Sequence, residues 1–210
     1  VLVTPSGFHK GFIRPEDLII TDLAGRKLRG SHQPSSEFAM HALIYAERSD
    51  VRAVVHAHPP LTVALALAGV SLTDCVLSET CLLLGPVPTA PYSTPTTSEV
   101  PESLRPYVRS ANAIIMHRHG ALTMGRTIDE AWQRMEAVEH SAKIIHAARA
   151  IGEVRPLPPP EASKLEQLAS QLGIPRPPEP PPQTWHGPNH DSSMSESELV
   201  EAVLRKLRGG

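Results

Sequence analysis

Long apolar runs are what this 210-residue chain lacks most plainly. No stretch approaches the roughly 18 residues that a membrane span requires. Charge of one sign is missing too. Lys and Arg number 20 against 22 Asp and Glu, a formal net charge of -2, so there is no basic footprint for nucleic acid or an anionic membrane. Cysteine is nearly absent. Cys75 and Cys81 make no disulfide framework and fit a reducing cytoplasm. There is no initiator methionine, and the opening Val1-Leu2-Val3-Thr4-Pro5-Ser6-Gly7 is not a signal peptide. Its first residue already lies in an apolar, strand-like run, so the chain is expected to continue upstream of Val1. These absences leave a soluble, cytoplasmic protein, long enough to bury one core of ordinary size with something appended.

What is present begins with residues 51–60, Val-Arg-Ala-Val-Val-His-Ala-His-Pro-Pro. The stretch reads as a buried strand. Alternate residues of a strand point to one face, so His56 and His58 project together, as two ligands of one metal ion would. A chain with 11 histidines will contain such a pair by chance, and other ligands must be found. Residues 113–119, Ala-Ile-Ile-Met-His-Arg-His, read as a second buried strand ending in His-x-His, with a break at Gly120 and a short continuation to Gly125. Three histidines with an open fourth position are the usual catalytic zinc arrangement, whereas structural zinc is closed by cysteines. Spacing alone does not decide between His117 and His119.

Around these strands the expected elements alternate. Strands are expected at residues 1–4 and 18–22. Helices are expected at 37–48, with Phe38, Leu43 and Tyr45 in the core, then at 60–68, 96–110, 127–152 and 161–172. Residues 82–92, rich in proline and glycine, read as extended or turning chain. In the longest helix Ala131, Met135, Val138 and Ala142 are spaced as one packed stripe. The alternation argues for an α/β domain. Ser35 and Ser36 precede the helix opened by Glu37, where free N–H groups and the helix dipole suit either a bound phosphate or a simple cap. Glu37 itself is also a first-turn acid that the dipole favours. His41, four residues on, reads as structural, and His9, His32, His140, His146, His186 and His190 as solvated or capping residues.

Five motifs recur in order: Thr4-Pro5-Ser6-Gly7, Pro34-Ser35-Ser36-Glu37, His56-Ala57-His58, Ala90-Pro91-Tyr92 and His119-Gly120. Together they resemble the class II sugar-phosphate aldolase family over residues 1–174. The resemblance implies a three-layer α/β/α fold with a central, mostly antiparallel sheet, a homotetramer, and a zinc ion, or another divalent metal, bound by three histidines. Carried over, the metal ligands are His56, His58 and His119, which sets His117 aside. Glu37 matches the catalytic glutamate, and Ser6, Gly7, Ser35 and Ser36 match parts of the phosphate pocket. The implied reaction is reversible cleavage of a deoxyketose 1-phosphate of fuculose or rhamnulose type into dihydroxyacetone phosphate and an aldehyde such as lactaldehyde. Two features depart from the pattern. The family's upstream helix and Gly-Asn phosphate loop have no counterpart in this sequence, and the region around Leu77 and Ser78 carries no tyrosine. A 4-epimerase of the family resembles Ser-Ser-Asp where this chain has Ser35-Ser36-Glu37. A methylthioribulose-phosphate dehydratase would share the metal site, and a non-catalytic adducin-like binding module would be expected to lack the ligands.

Beyond the domain, residues 175–193 read as a proline-rich and polar linker. Residues 194–210 follow as a short amphipathic helix, with a capping box at Ser195 and Glu198 and an apolar face of Leu199, Val200, Val203, Leu204 and Leu207. A helix this short is marginal alone in water. It resembles the encapsulation peptides that bind shell proteins and carry enzymes into bacterial microcompartments.

Overall fold

A computed structural model describes residues 1–181. The expected helix at 194–210 and nearly all of the polar part of the linker lie outside those residues. The core of the fold is a four-stranded sheet of β4 (Ala53–Ala57), β5 (Thr89–Ala90), β6 (Ala113–Met116) and β7 (Gly120–Gly125), in the order β4-β7-β6-β5. Only the β5–β6 pair is parallel. A second, antiparallel sheet joins β1 (Leu2–Val3), β2 (Ile19–Thr21) and β3 (Lys27–Arg29).

The strand period of two sorts the larger sheet's side chains into two cores. Ile114 and Met116 of β6, with Leu122 and Met124 of β7, meet Met40, Leu43 and Ile44 of α1 (Phe38–Glu47) and Val100, Leu104 and Val108 of α4 (Glu99–Val108). On the opposite face Ala113 and Ile115 meet Leu65 and Ala66 of α2 (Pro60–Leu67) and Val138, Ala142 and Ile145 of α5 (Ile128–Ile151). Helices on both faces of a mostly antiparallel sheet make the three α/β/α layers. The predicted stripe Ala131, Met135, Val138 and Ala142 is buried throughout. Of the three core residues expected on α1, Phe38 and Leu43 are buried, and Tyr45 packs partly buried on the first core.

Arg48 fixes the far end of α1. It is 2% exposed and its guanidinium donates to the Val108 and Ala111 carbonyls at 2.9 and 3.1 Å, to Asn112 Oδ1 at 2.9 Å and to Asp50. A buried cation is tolerated because its donors are so completely used. Among the described residues no helix is long and apolar enough to cross a membrane.

Four details differ from the sequence reading. β3 forms where only a basic stretch was read, and α3 (Ser78–Leu83) occupies a segment given no helix; α6 (Pro159–Gln171) lies where a helix was expected. The continuation after Gly120 is a separate strand, because β6 and β7 form an antiparallel hairpin pairing Met116 with Gly120. Cys75 and Cys81, expected as thiols, are joined as a disulfide whose Cα atoms are 5.6 Å apart. The turn before α3 brings the two residues within bridging distance, which a separation of six in sequence does not reveal.

Candidate metal centre

The site is assembled by the edge pair β4–β7. His56 lies opposite Leu122 across the ladder, and cross-strand partners share a face. Leu122 faces the α1 layer, so His56 does too, and His58, two residues on, follows the same side. α1 begins just after Glu37, which occupies its N-cap position. The strand period and the helix start thus bring the acid to the histidines.

His119 arrives differently. Its backbone N–H donates to the Met116 carbonyl at 3.0 Å in the hairpin turn, where Arg118 adopts a left-handed φ of 63°. The strand phase ends at Met116, so His117 and His119 do not share a face as they would in continuous strand. His119 joins the group; His117 does not.

Glu37, His56, His58 and His119 each offer one ligand atom, all within 4.8 Å of one another. The three imidazole centroids form a nearly equilateral triangle of 4.9, 5.0 and 5.0 Å. His56 Nε2 and His58 Nε2 face each other at 3.1 Å. Glu37 Oε1 lies 2.9 Å from His119 Nε2 and Oε2 lies 3.5 Å from His56 Nε2. The donor set fits a divalent cation on two further counts. The Ala121 carbonyl, 3.0 Å from His56 Nδ1, holds a proton on that nitrogen and leaves the Nε2 lone pair free to ligate. Burial, with repulsion from His119 and His58 added, pushes the His56 pKa down to about 3. His58 is lowered for the same principal reason, burial. Neutral imidazoles at neutral pH are the form that binds metal.

Gly120 is what allows the rings to approach. A Cβ there would lie 2.4 Å from the Ala57 carbonyl oxygen, 2.7 Å from His58 Cδ2 and 3.1 Å from His56 Cε1. The first of these is backbone of the paired strand and cannot yield. We therefore expect Gly120→Ala to cost about 1 to 3 kcal/mol of stability and to weaken metal binding at least tenfold. Chemical denaturation and competition with a chromophoric chelator check the two effects.

The residues matched to a phosphate pocket are also brought side by side. Ser6 N–H donates to the Gln33 carbonyl at 3.0 Å and Ser35 N–H to the Thr4 carbonyl at 3.1 Å, and Gly7 turns with a φ of 76°. Ser35 Oγ accepts from Glu37 N–H at 3.3 Å, so Ser35 serves the turn into α1, while Ser36 is exposed. Sequence reading missed Lys10, whose ammonium donates to Thr4 Oγ1 at 3.4 Å and whose charge lowers the pKa of His41 and of His58. Its one sequence signal is proximity to the Thr4–Gly7 turn. Burial first, and Lys10 second, hold His41 at about 4, a neutral residue outside the ligand group. His9 caps a short 3-10 helix through Gly11 N–H, and His32 pairs with Asp17 at 3.5 Å. His140 and His146 are exposed.

Residues 1–146 match the family described as Class II Aldolase and Adducin N-terminal domain. The chain is 32% identical over 173 residues to a 5-deoxy-D-ribulose 1-phosphate aldolase of Bacillus thuringiensis serovar kurstaki, covering 82% of this chain and 79% of that one. It is 31% identical over 182 residues to a 5-methylthioribulose-1-phosphate/5-deoxyribulose-1-phosphate aldolase of Rhodospirillum rubrum, covering 85% and 82%. Among solved structures, an L-fuculose 1-phosphate aldolase superposes with a TM-score of 0.74 at 29% identity, covering 82% of this chain and 79% of that one.

Proposed function

Because this chain belongs to the class II aldolase and adducin N-terminal domain family, we propose that it is a metal-dependent sugar-phosphate aldolase, cleaving a deoxyketose 1-phosphate into dihydroxyacetone phosphate and a short aldehyde. One observation carries the reading: three imidazoles and one carboxylate converge within 4.8 Å on the α1 side of the sheet. A binding module has no use for such a set, and the Glu37 carboxylate beside it is what proton transfer at carbon requires. His56, His58 and His119 would hold the ion, zinc by the three-histidine pattern. When bound, it supplies a Lewis acid that stabilises negative charge on the oxygens of the ketone and its neighbouring hydroxyl.

The chain's own residues do the rest. Cleavage breaks the bond between C3 and C4 of the ketose; C3 keeps the electron pair and the C4 hydroxyl loses its proton as the aldehyde forms. Glu37, in its acid form, returns a proton to C3, and the proton released from the C4 hydroxyl restores the acid. In the synthetic direction the Glu37 carboxylate takes the C3 proton. Ser6, Gly7, Ser35 and Ser36 would seat the phosphate, so that binding far from the reacting bond orients C3 towards Glu37. The relatives' names favour a short aldehyde fragment: a 5-deoxypentulose 1-phosphate gives acetaldehyde, and a 6-deoxyhexulose 1-phosphate gives lactaldehyde.

The test is metal content together with dihydroxyacetone phosphate release from 5-deoxyribulose, fuculose and rhamnulose 1-phosphates. About one metal ion per chain and release abolished by a chelator are expected. Metal uptake without release from any of the three would overturn the aldolase reading and turn to the epimerase and dehydratase chemistries; no uptake would turn to the binding module.

A further inference from the structure

The three histidines are not held equally. His56 sits inside the β4–β7 ladder and its ring is tied to the Ala121 carbonyl. His119 is fixed by the hairpin turn. His58 lies one residue past the last ladder pair, Ala57 with Ala121, is exposed, and has no backbone strand partner. The segment immediately after it is held firmly.

After Pro59 the chain enters α2, whose N-cap offers no side-chain hydrogen bond. Pro60 has no N–H, so Leu61 and Thr62 carry the first free donors of the helix. Both are taken by one side chain from another layer element. Glu139 of α5 accepts from Leu61 N–H at 3.2 Å through Oε1, and from Thr62 N–H at 3.0 Å and Thr62 Oγ1 at 2.9 Å through Oε2. The next donor, Val63 N–H, reaches the Pro59 carbonyl at 3.0 Å. Thr62 is fully buried, and a carboxylate at a helix N-terminus is favoured by the dipole as well as by its hydrogen bonds. The two prolines between His58 and this anchor have fixed φ, so they transmit it with little slack.

We propose that Glu139 is a positioning residue for the metal centre: by capping α2 from helix α5 it holds His58, the ligand that neither the ladder nor the hairpin turn fixes, at the distance from His56 and His119 that one cation needs. This rests on the metal-site reading above and assigns a role to a residue that never touches the ion. Preorganised ligands bind metal more tightly because the ordering has already been done, and losing an outer partner of a metal site typically weakens binding roughly 10- to 100-fold.

The experiment measures the zinc dissociation constant of the full chain by chelator competition, and the visible absorption of the cobalt(II)-substituted protein. Wild type is compared with Glu139→Gln, Thr62→Val and, at an exposed position on the same helix, Glu136→Gln. A glutamine in place of Glu139 offers one acceptor oxygen and an amide that cannot accept, so at least one donor of α2 is left facing another donor. Glu139→Gln is expected to weaken zinc binding about tenfold and to alter the cobalt spectrum. Thr62→Val, which removes one of the three bonds, should weaken binding by a smaller factor, and Glu136→Gln should leave it unchanged. If Glu139→Gln and Thr62→Val lowered the melting temperature but left zinc affinity within about twofold and the cobalt spectrum intact, the cap would be structural and the proposal would fall. A wild-type chain that binds neither metal would overturn the proposal together with the function it rests on.

Discussion

Replacing His56 by alanine is expected to take bound metal from about one ion per chain to under one tenth, and to lower kcat/KM for aldol cleavage by about 10⁴-fold. That factor corresponds to about 5.5 kcal/mol of transition-state stabilisation, in the range expected when a Lewis acid and its charge stabilisation are lost together. His56 is the ligand to choose for three reasons. It is the one whose free nitrogen is specified by a hydrogen bond, from Nδ1 to the Ala121 carbonyl. It faces both His58 and Glu37. Its pKa, at about 3, also keeps it neutral at any pH where the protein would be assayed. The metal-free variant should not be much less stable than the metal-free wild type, since the deleted ring belongs to a polar cluster whose Nε2 atoms face one another rather than to either hydrophobic core. Adding zinc separates the two. At about 100 times the dissociation constant, wild type gains about 2.7 kcal/mol of stability from binding, whereas His56→Ala should show no rise in melting temperature. A variant that keeps one metal ion per chain and cleaves normally would show that the cluster is not the metal centre.

That His56 and His58 could be paired from sequence follows from the two-residue period, which carries one residue past the end of β4 at Ala57 because the chain turns only after His58. The same logic fails at the other end of the site for a physical reason. β6 stops at Met116, so His117 and His119 lie in a turn where the period has lapsed, and only the turn's geometry separates them. That turn places Arg118 at positive φ with neither glycine nor asparagine to signal it, so the hairpin reads as one interrupted strand. β3 was hidden because all three of its residues, Lys27, Leu28 and Arg29, are exposed, and an edge strand with no buried face has no apolar alternation to show. α3 has six residues and no side-chain cap, too short to display a helical period. Glu139 was invisible for a different reason. It lies 77 and 78 residues from the donors it accepts from, and an acid at a partly buried helical position looks like a surface charge until the neighbouring helix is placed. The layered architecture was legible because it depends on many apolar positions at once, and the site's details were not because each depends on one.

Glu37→Gln should produce the second large effect and the more informative one: kcat lower by about 10² to 10⁴, the contribution usual for a positioned proton carrier, with KM for the sugar phosphate close to wild type and about one metal ion per chain retained. The amide has the carboxylate's shape, so contacts like those of Oε1 to His119 at 2.9 Å and Oε2 to His56 at 3.5 Å can persist, but it cannot hold and release a proton. Three histidines remain to keep the ion. The half-reaction isolates the step. With dihydroxyacetone phosphate alone in D₂O, the wild-type enzyme should exchange the C3 proton for deuterium, because the Glu37 carboxylate removes and returns it without any aldehyde present. The glutamine variant should show exchange reduced by the same factor as kcat. If exchange persisted at the wild-type rate while cleavage collapsed, the proton at C3 would be carried by another group, and Glu37 would act on the aldehyde side of the bond. If the variant lost its metal as His56→Ala does, Glu37 would be a ligand first, and its geometry between His119 and His56 would be that of a fourth donor rather than a base.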